Sequence, residues 1–279
     1  MSSRFLTIDN VRVPRFLYGT AWKEADTPRL TELALRQGFR GIDTANQRKH
    51  YDEAGVGQGI AASGVPRDEL FLQTKFTFRP GQDNRLPYDP DAPVATQVEQ
   101  SFASSQKHLG SNDIDSYVLH GPSRSAGLAA ADWEAWRAME MLHDRGLVRF
   151  LGVSNVNLDQ LRALCASARV RPRFVQNRCY AVRGWDRQVR EFCTANSIVY
   201  QGFSLLTANR QILASTAIRQ LAKKYGRSAA EIAFRFTLDI GMLPLTGTTS
   251  ADHMRADLDV FDFQLDASEI AMIERLGEG

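Results

Sequence analysis

Cysteine is scarce in this chain of 279 residues, and the little there is does not cluster. Cys165, Cys179 and Cys193 are odd in number and fourteen apart, which fits neither a disulfide framework nor a set of structural zinc ligands. No apolar run approaches the roughly 20 residues needed to span a bilayer. The opening stretch, Met1 to Asn10, lacks the apolar centre of a secretory signal. Neither charge is in excess: 34 basic residues stand against 32 acidic, a net +2, so nothing singles out a nucleic acid or an anionic membrane as partner. From these absences we expect a reduced, cytoplasmic protein with no membrane or nucleic-acid partner and no metal.

What the chain does hold is an even supply of apolar residues, 43% of the total, broken into a repeating pattern. Eight short apolar stretches read as strands: Phe16–Gly19, Phe39–Asp43, Leu70–Lys75, Ile114–Leu119, Val148–Val153, Phe174–Gln176, Ile198–Phe203 and Met242–Thr246. Between them lie amphipathic segments with helix punctuation. Thr27-Pro28 reads as a cap and first-turn pair, Gly38 and Gly146 as stops, and Asn157 as a cap. Further helices are expected near 186–196, 211–224, 228–239, 250–258 and 267–276.

Strands alternating with helices at a spacing of about thirty residues specify parallel strands with crossover connections. Eight repeats predict an α/β fold, a closed (β/α)8 TIM barrel in one domain over 1–279, with an N-terminal β-hairpin covering its floor. An open doubly wound sheet would instead need a glycine-rich phosphate turn directly after a strand. The formal match to that motif, Gly57–Ala62, falls inside a predicted helix.

Barrel chemistry gathers at the C-terminal strand ends, and here those ends are polar one after another. In order they are Trp22 just past the first strand, then Asp43, Lys75, His120, Ser154-Asn155, Gln176, Phe203-Ser204 and Gly247-Thr248-Thr249. Each alone has an ordinary explanation as a solvated charge, a helix cap or a partner for buried backbone. Their recurrence around one rim predicts a site. Its densest part is the stretch after Asp43, where a polar loop carries Arg48, Lys49, His50 and Tyr51. The loop 76–92, rich in Pro, Gly, Asp and Asn, has the length of a functional loop.

Three chemistries could use such a rim. A Schiff-base aldolase would use Lys75 as nucleophile, but an adjacent Asp43 holds the lysine charged. Metal-assisted hydrolysis needs several convergent His and acidic ligands, which the strand ends do not offer. Hydride transfer needs a proton donor for a carbonyl oxygen, and a phenol, a lysine, a carboxylate and an imidazole supply those parts.

The ordered segments GFRGIDTA…EAGVG, FLQTK, IDSYVLHGP, LVRFLGVSN, FVQN, GFSLL and VFDFQL resemble the aldo-keto reductase superfamily across essentially the whole chain. The resemblance implies an NADP-dependent oxidoreductase that reversibly reduces an aldehyde or ketone to an alcohol. It assigns Asp43, Lys75 and His120 to catalysis. It puts Thr20, Asp43, Ser154, Asn155 and Gln176 on the nicotinamide side, with Phe203 stacked on the ring and Ser204 and Leu206 near the pyrophosphate. Gly247, Thr248, Thr249, His253 and Asp257 fall toward the adenosine, and Trp22, His50, Tyr51 and His120 toward a small-molecule carbonyl substrate.

Three departures from the family pattern shape the expectations. The family places tyrosine five residues after the aspartate; here that position is Arg48, and the segment from Asp43 to Val56 is two residues longer. Counted back from Glu53, the slot falls on His50, with Tyr51 beside it. On chemistry we take Tyr51 as the proton donor, its pKa lowered by Lys75, with His50 as the alternative. The Lys-Ser pair and downstream Arg that hold the adenosine 2′-phosphate are Gly247-Thr248 and His253 here, with Arg255 as the candidate substitute. NADPH is therefore expected, with NADH the alternative. Lastly, the chain ends at Gly279, soon after VFDFQL, and the loop 76–92 is expected to take over part of the substrate lid. A monomer or weak oligomer is expected. The displaced tyrosine also leaves open a cofactor-binding regulatory protein with weak turnover on the same barrel.

Overall fold

The computed structural model describes residues 3–277, so the extreme ends of the predicted 1–279 domain lie outside the described residues. Strands β1 (Phe5–Ile8) and β2 (Val11–Pro14) form an antiparallel hairpin, with Ile8 opposite Val11. The turn between them is Asp9-Asn10, both left-handed at φ 48° and 63°. That conformation matches the twist of the flanking strands in a two-residue loop.

Eight parallel strands follow: β3 (Leu17–Gly19), β4 (Gly41–Asp43), β5 (Phe71–Phe76), β6 (Ile114–Leu119), β7 (Val148–Ser154), β8 (Phe174–Arg178), β9 (Val199–Phe203) and β10 (Leu243–Thr246). They close in the order β10-β3-β4-β5-β6-β7-β8-β9, the predicted (β/α)8 barrel. Helices α1 (Thr27–Arg36), α2 (Glu53–Ser63), α3 (Val94–Leu109), α4 (Ala130–Asp144), α5 (Leu158–Ser167) and α6 (Arg187–Ala195) form the first part of the outer layer. The remainder comprises α7 (Arg210–Leu213), α8 (Thr216–Tyr225), α9 (Ala229–Asp239), α10 (Ala251–Asp259) and α11 (Ala267–Arg275).

Apolar residues sort into two layers. The larger lies between strands and helices, with Trp136, Phe102, Tyr117 and Phe236 fully buried there. The smaller fills the barrel floor: Leu17, Phe71, Phe150, Phe174, Leu243 and Leu245 point inward, and Leu6, Ile8, Val11 and Val13 of the hairpin close over them. Above this floor the inward positions turn polar, so the buried polar groups gather toward the opposite mouth.

Several local expectations shift. The second barrel strand begins at Gly41 because Phe39 leaves the sheet and packs edge-on against Phe16, ring centroids 5.8 Å apart. Thr27 is the first residue of α1 rather than its cap, and its hydroxyl donates to the Glu24 carbonyl at 2.7 Å. The helix expected over 211–224 is two helices, because Ser215 caps α8 by accepting from the Ile218 amide. Asn157 caps α5 as expected, in a reciprocal pair with Gln160. The motif-like Gly57–Ala62 lies within α2, where Gly57 serves packing: a Cβ there would run into the His108 carbonyl of α3.

Candidate active site

Asp43 is the last residue of β4, and Lys75 stands two positions after Gln73 on β5, so both project into the barrel mouth. Lys75 is fully buried and Asp43 nearly so. A buried charge is tolerated only when paired and hydrogen-bonded, and this one is. Lys75 Nζ donates to Asp43 Oδ1 and Oδ2, each at 2.7 Å, and to the Thr44 carbonyl at 2.8 Å. Those acceptors account for its three protons. Burial pulls the lysine below its ordinary range, with Asp43 and then Glu53 working against that.

Tyr51 and His120 flank the pair. Lys75 Nζ lies 5.4 Å from the centroid of the Tyr51 ring. The Tyr51 and His120 rings meet edge to face, centroids 6.0 Å apart. Burial pushes the Tyr51 phenol above its ordinary range, and the Asp43 carboxylate adds to the effect. This reverses the expectation that Lys75 lowers it. The ammonium is bound into an ion pair whose dipole offers the phenol little net positive charge, and no proton of Lys75 remains for it.

His120, just past β6, is pushed down to about 3 by burial, then by the charge of Lys75 and then by His50. It is a neutral imidazole near pH 7. Its Nδ1 pairs with the Thr77 hydroxyl at 2.7 Å, leaving Nε2 for another partner.

His50, the other occupant of the alignment slot, points elsewhere. Its ring stacks on the indole of Trp22 with centroids 4.0 Å apart, tilted by 36°, and its carbonyl accepts from the Trp22 amide at 2.7 Å. Trp22 is held with φ at 62° and is 68% exposed. Such a backbone is strained for a bulky residue, and strain of this kind gathers at functional sites. Trp22, His50 and Tyr51 line a cavity of about 400 Å³, together with Glu24, Ala25, Arg48, Lys49, Asp52 and Arg85. The loop 76–92 contributes Arg85 to that lining and is pinned rather than loose. Tyr88 donates to the Thr77 carbonyl at 2.8 Å, Gln47 to Gly81 at 2.6 Å, and Arg85 to the Arg48 carbonyl at 2.8 Å.

The residues expected on the cofactor side lie along the rim in sequence order. Thr20 is buried and donates to the Asp43 carbonyl at 3.0 Å. Ser154 donates to the Gln176 carbonyl at 2.6 Å, and Asn155, left-handed at φ 54°, donates to the His120 carbonyl at 2.8 Å. Phe203, Ser204 and Leu206 are half-buried at the end of β9, with Ser204 also left-handed. Gly247 and Thr249 are exposed, and Thr248 pairs loosely with His253 at 3.4 Å. Arg255, the candidate substitute cation, is paired with Asp252 one turn away. Asp257 is buried beside Thr246, its Oδ2 without a hydrogen-bond partner among the described residues, and burial raises its carboxyl to about 7.

Two features escaped the sequence reading. Lys23 reaches across from the loop after β3, and its ammonium donates to the Gly247 carbonyl. It lies 3.5 Å from where a Cβ of Gly247 would sit, so a cation fills the space left by the missing side chain. The second is a layer of three glutamines beneath Asp43. Gln73 Nε2 donates to Asp43 Oδ1 at 2.7 Å, and Gln176 Nε2 donates to the same oxygen at 3.0 Å. Gln201 lies between the two amides and accepts from both. The signal was present, because a glutamine two residues before Lys75 in an otherwise apolar strand must face inward with it.

The Aldo/keto reductase family profile matches residues 17–278. A 9,11-endoperoxide prostaglandin H2 reductase of Trypanosoma cruzi is 30% identical over 276 residues, 97% of this chain and 90% of that protein. A glyoxal reductase of Bacillus subtilis is 29% identical, covering 88% of this chain and 82% of its own length. Among solved structures, an aldo/keto reductase from Brucella melitensis superposes with a TM-score of 0.84 at 26% identity, over 99% of this chain and 100% of that one. An aldo-keto reductase of Bombyx mori in complex with NADP gives 0.82 at 26% identity, over 99% and 93%. A buried lysine–aspartate pair at the mouth of a closed eight-stranded barrel, and a profile that spans nearly every residue, place this chain in the aldo/keto reductase family.

Proposed function

We propose that the protein reduces a small aldehyde or ketone to the alcohol with NADPH, the whole chain acting as one barrel domain. The observation that carries this reading is the fully buried Lys75–Asp43 pair with Tyr51 and His120 on either side of it. The rim suits a nicotinamide nucleotide. Gln176 has a side-chain oxygen with no protein partner among the described residues, Phe203 offers a half-buried ring, and Thr248 to Ser250 lead into the N-terminus of α10. Ser154, Asn155 and Gln176 would hold the carboxamide, Phe203 the ring, and Lys23 and Thr248 the phosphates. When bound, the nucleotide supplies hydride to the carbonyl carbon.

The chain's own groups do the rest. Tyr51, whose phenol burial holds above its ordinary range and so protonated near neutral pH, gives its proton to the carbonyl oxygen. An alkoxide is a stronger base than even a buried phenolate, so that transfer runs downhill. Neutral His120 orients the same oxygen through Nε2, which Thr77 leaves free. Lys75 and Asp43 hold the floor of the site rigid and polar. Trp22 and His50 form one wall of the substrate cavity, whose volume of about 400 Å³ suits a small carbonyl compound. Glyoxal and methylglyoxal, named for relatives of this chain, head the substrate panel.

The test is steady-state NADPH oxidation with that panel and with aromatic aldehydes. Turnover that saturates in both substrates supports the reading. Nucleotide binding without turnover on any carbonyl would make the protein a cofactor-binding regulator instead.

A further inference from the structure

Inward positions of a barrel are ordinarily filled by branched apolar side chains, yet Gln73, Gln176 and Gln201 are all buried at one level here. Their hydrogen bonds follow from a single charge. Ionised Asp43 only accepts, so Gln73 and Gln176 must both turn their NH2 groups toward it, as they do at 2.7 and 3.0 Å. Each amide then has one proton left. Gln201 Oε1 takes both, from Gln73 at 2.8 Å and from Gln176 at 2.9 Å. Gln201 must therefore aim its own NH2 the other way, and it donates to Gln73 Oε1 at 3.0 Å. Every amide orientation is forced. One carbonyl oxygen remains unused among the described residues, that of Gln176.

We propose that Gln73 and Gln201, which no cofactor role claims, are positioning residues that lock Gln176 with its oxygen outward, so that the site demands a hydrogen-bond donor there. The proposal rests on the reductase reading, in which Gln176 faces the nicotinamide carboxamide. Its content is a specificity: the carboxamide NH2 is recognised, and a ring bearing an acetyl group in its place is refused. Were Gln201 apolar, Gln176 would lose one of its two anchors. Held by Asp43 alone, its amide would be less firmly fixed with the oxygen outward, and the distinction would weaken.

The experiment is fluorescence titration of the folded protein with NADP and with its 3-acetylpyridine analogue, which has no NH2 to donate. Wild type should prefer NADP about tenfold. Gln201→Met should reduce that preference to about twofold, chiefly by weakening NADP while leaving the analogue nearly unchanged. Gln73→Met, which removes the acceptor of Gln201 and the Gln73 donors to Asp43 and Gln201 but leaves both anchors of Gln176, should act in the same direction with a smaller effect. It also serves as the test if Gln201→Met loses its cooperative thermal transition. Equal weakening of both nucleotides would make the glutamines simple packing, and an unchanged preference would show that Gln176 needs no lock. Either result overturns the proposal and leaves the reductase standing. A wild type that binds neither nucleotide would overturn both.

Discussion

The rings of Tyr51 and His120 meet edge to face across a centroid separation of 6.0 Å, with the two planes at 69°. His50, one residue earlier, faces Trp22 instead. On the reading proposed above, the phenol is the acid and the neighbouring imidazole is part of a wall.

Tyr51→Phe should lower carbonyl reduction by ~10²–10⁴-fold, the usual scale for losing a general acid, with nucleotide affinity nearly unchanged. His50→Ala should be milder and act mostly on substrate KM. The pH profile adds a second check. The phenol is raised and His120 is lowered to about 3, so neither titrates between about pH 5 and 9. kcat for reduction should be flat there. A limb near imidazole's ordinary pKa that disappears in His50→Ala would transfer the role to His50.

The Lys75–Asp43 pair should weigh on stability as well as rate. Lys75→Met leaves a buried carboxylate without its counterion, a change that typically costs ~3–5 kcal/mol. Lys75→Met combined with Asp43→Asn should recover at least half of that loss in urea unfolding, because no unpaired charge remains. Full additivity of the two single variants would mean that the charges do not compensate each other.

Cofactor preference should depend on a residue from the opposite side of the mouth. Lys23 fills the side-chain space at Gly247, whereas Arg255 is engaged by Asp252. Lys23→Met should therefore erode a modest preference for NADPH over NADH by about 5–10-fold, and Arg255→Met should leave it nearly unaltered. Competitive titrations with the two nucleotides give the ratio directly.

Asp257 sets a pH dependence of the opposite kind from most carboxylates. Its folded-state carboxyl is raised to about 7, against roughly 3.9 unfolded. Between those values the native state keeps a proton that the unfolded chain has released, so the contribution of Asp257 falls as pH rises from about 4 to 7. Asp257→Asn should gain about 2–4 kcal/mol relative to wild type on going from pH 4 to pH 8. Chemical unfolding at the two pH values measures it.

Much of this architecture could be read from the sequence because it rests on repetition. Apolar runs such as FLQTKF and IDSYVL are too short for helices, and each is followed by amphipathic segments that need a sheet to cover. The hairpin and the polar rim follow from the same pattern. Boundaries were less legible wherever tertiary packing outweighed local preference: Phe39 leaves the sheet for Phe16, and Thr27 bonds backward to Glu24 instead of capping forward. At the candidate site, the polar residues that gather at the barrel mouth could be read but their partners could not. That His50 turns to Trp22, that Lys23 reaches Gly247, and that three protons of Lys75 bypass the phenol are facts about distance. No spacing in the chain encodes them.

The apolar seal of the barrel floor, where Leu6, Ile8, Val11 and Val13 close over Phe71, Phe150 and Phe174, turns the chamber into a cul-de-sac. With that end filled, whatever reaches Gln176 and Asp43 comes from the polar mouth of the barrel. A nucleotide seated against Gln176 would occupy the dead end, and a carbonyl compound arriving through the same opening would sit on top of it. Traffic through a shared doorway is last in, first out, so in the reaction proposed for this chain the alcohol would depart before the spent nucleotide.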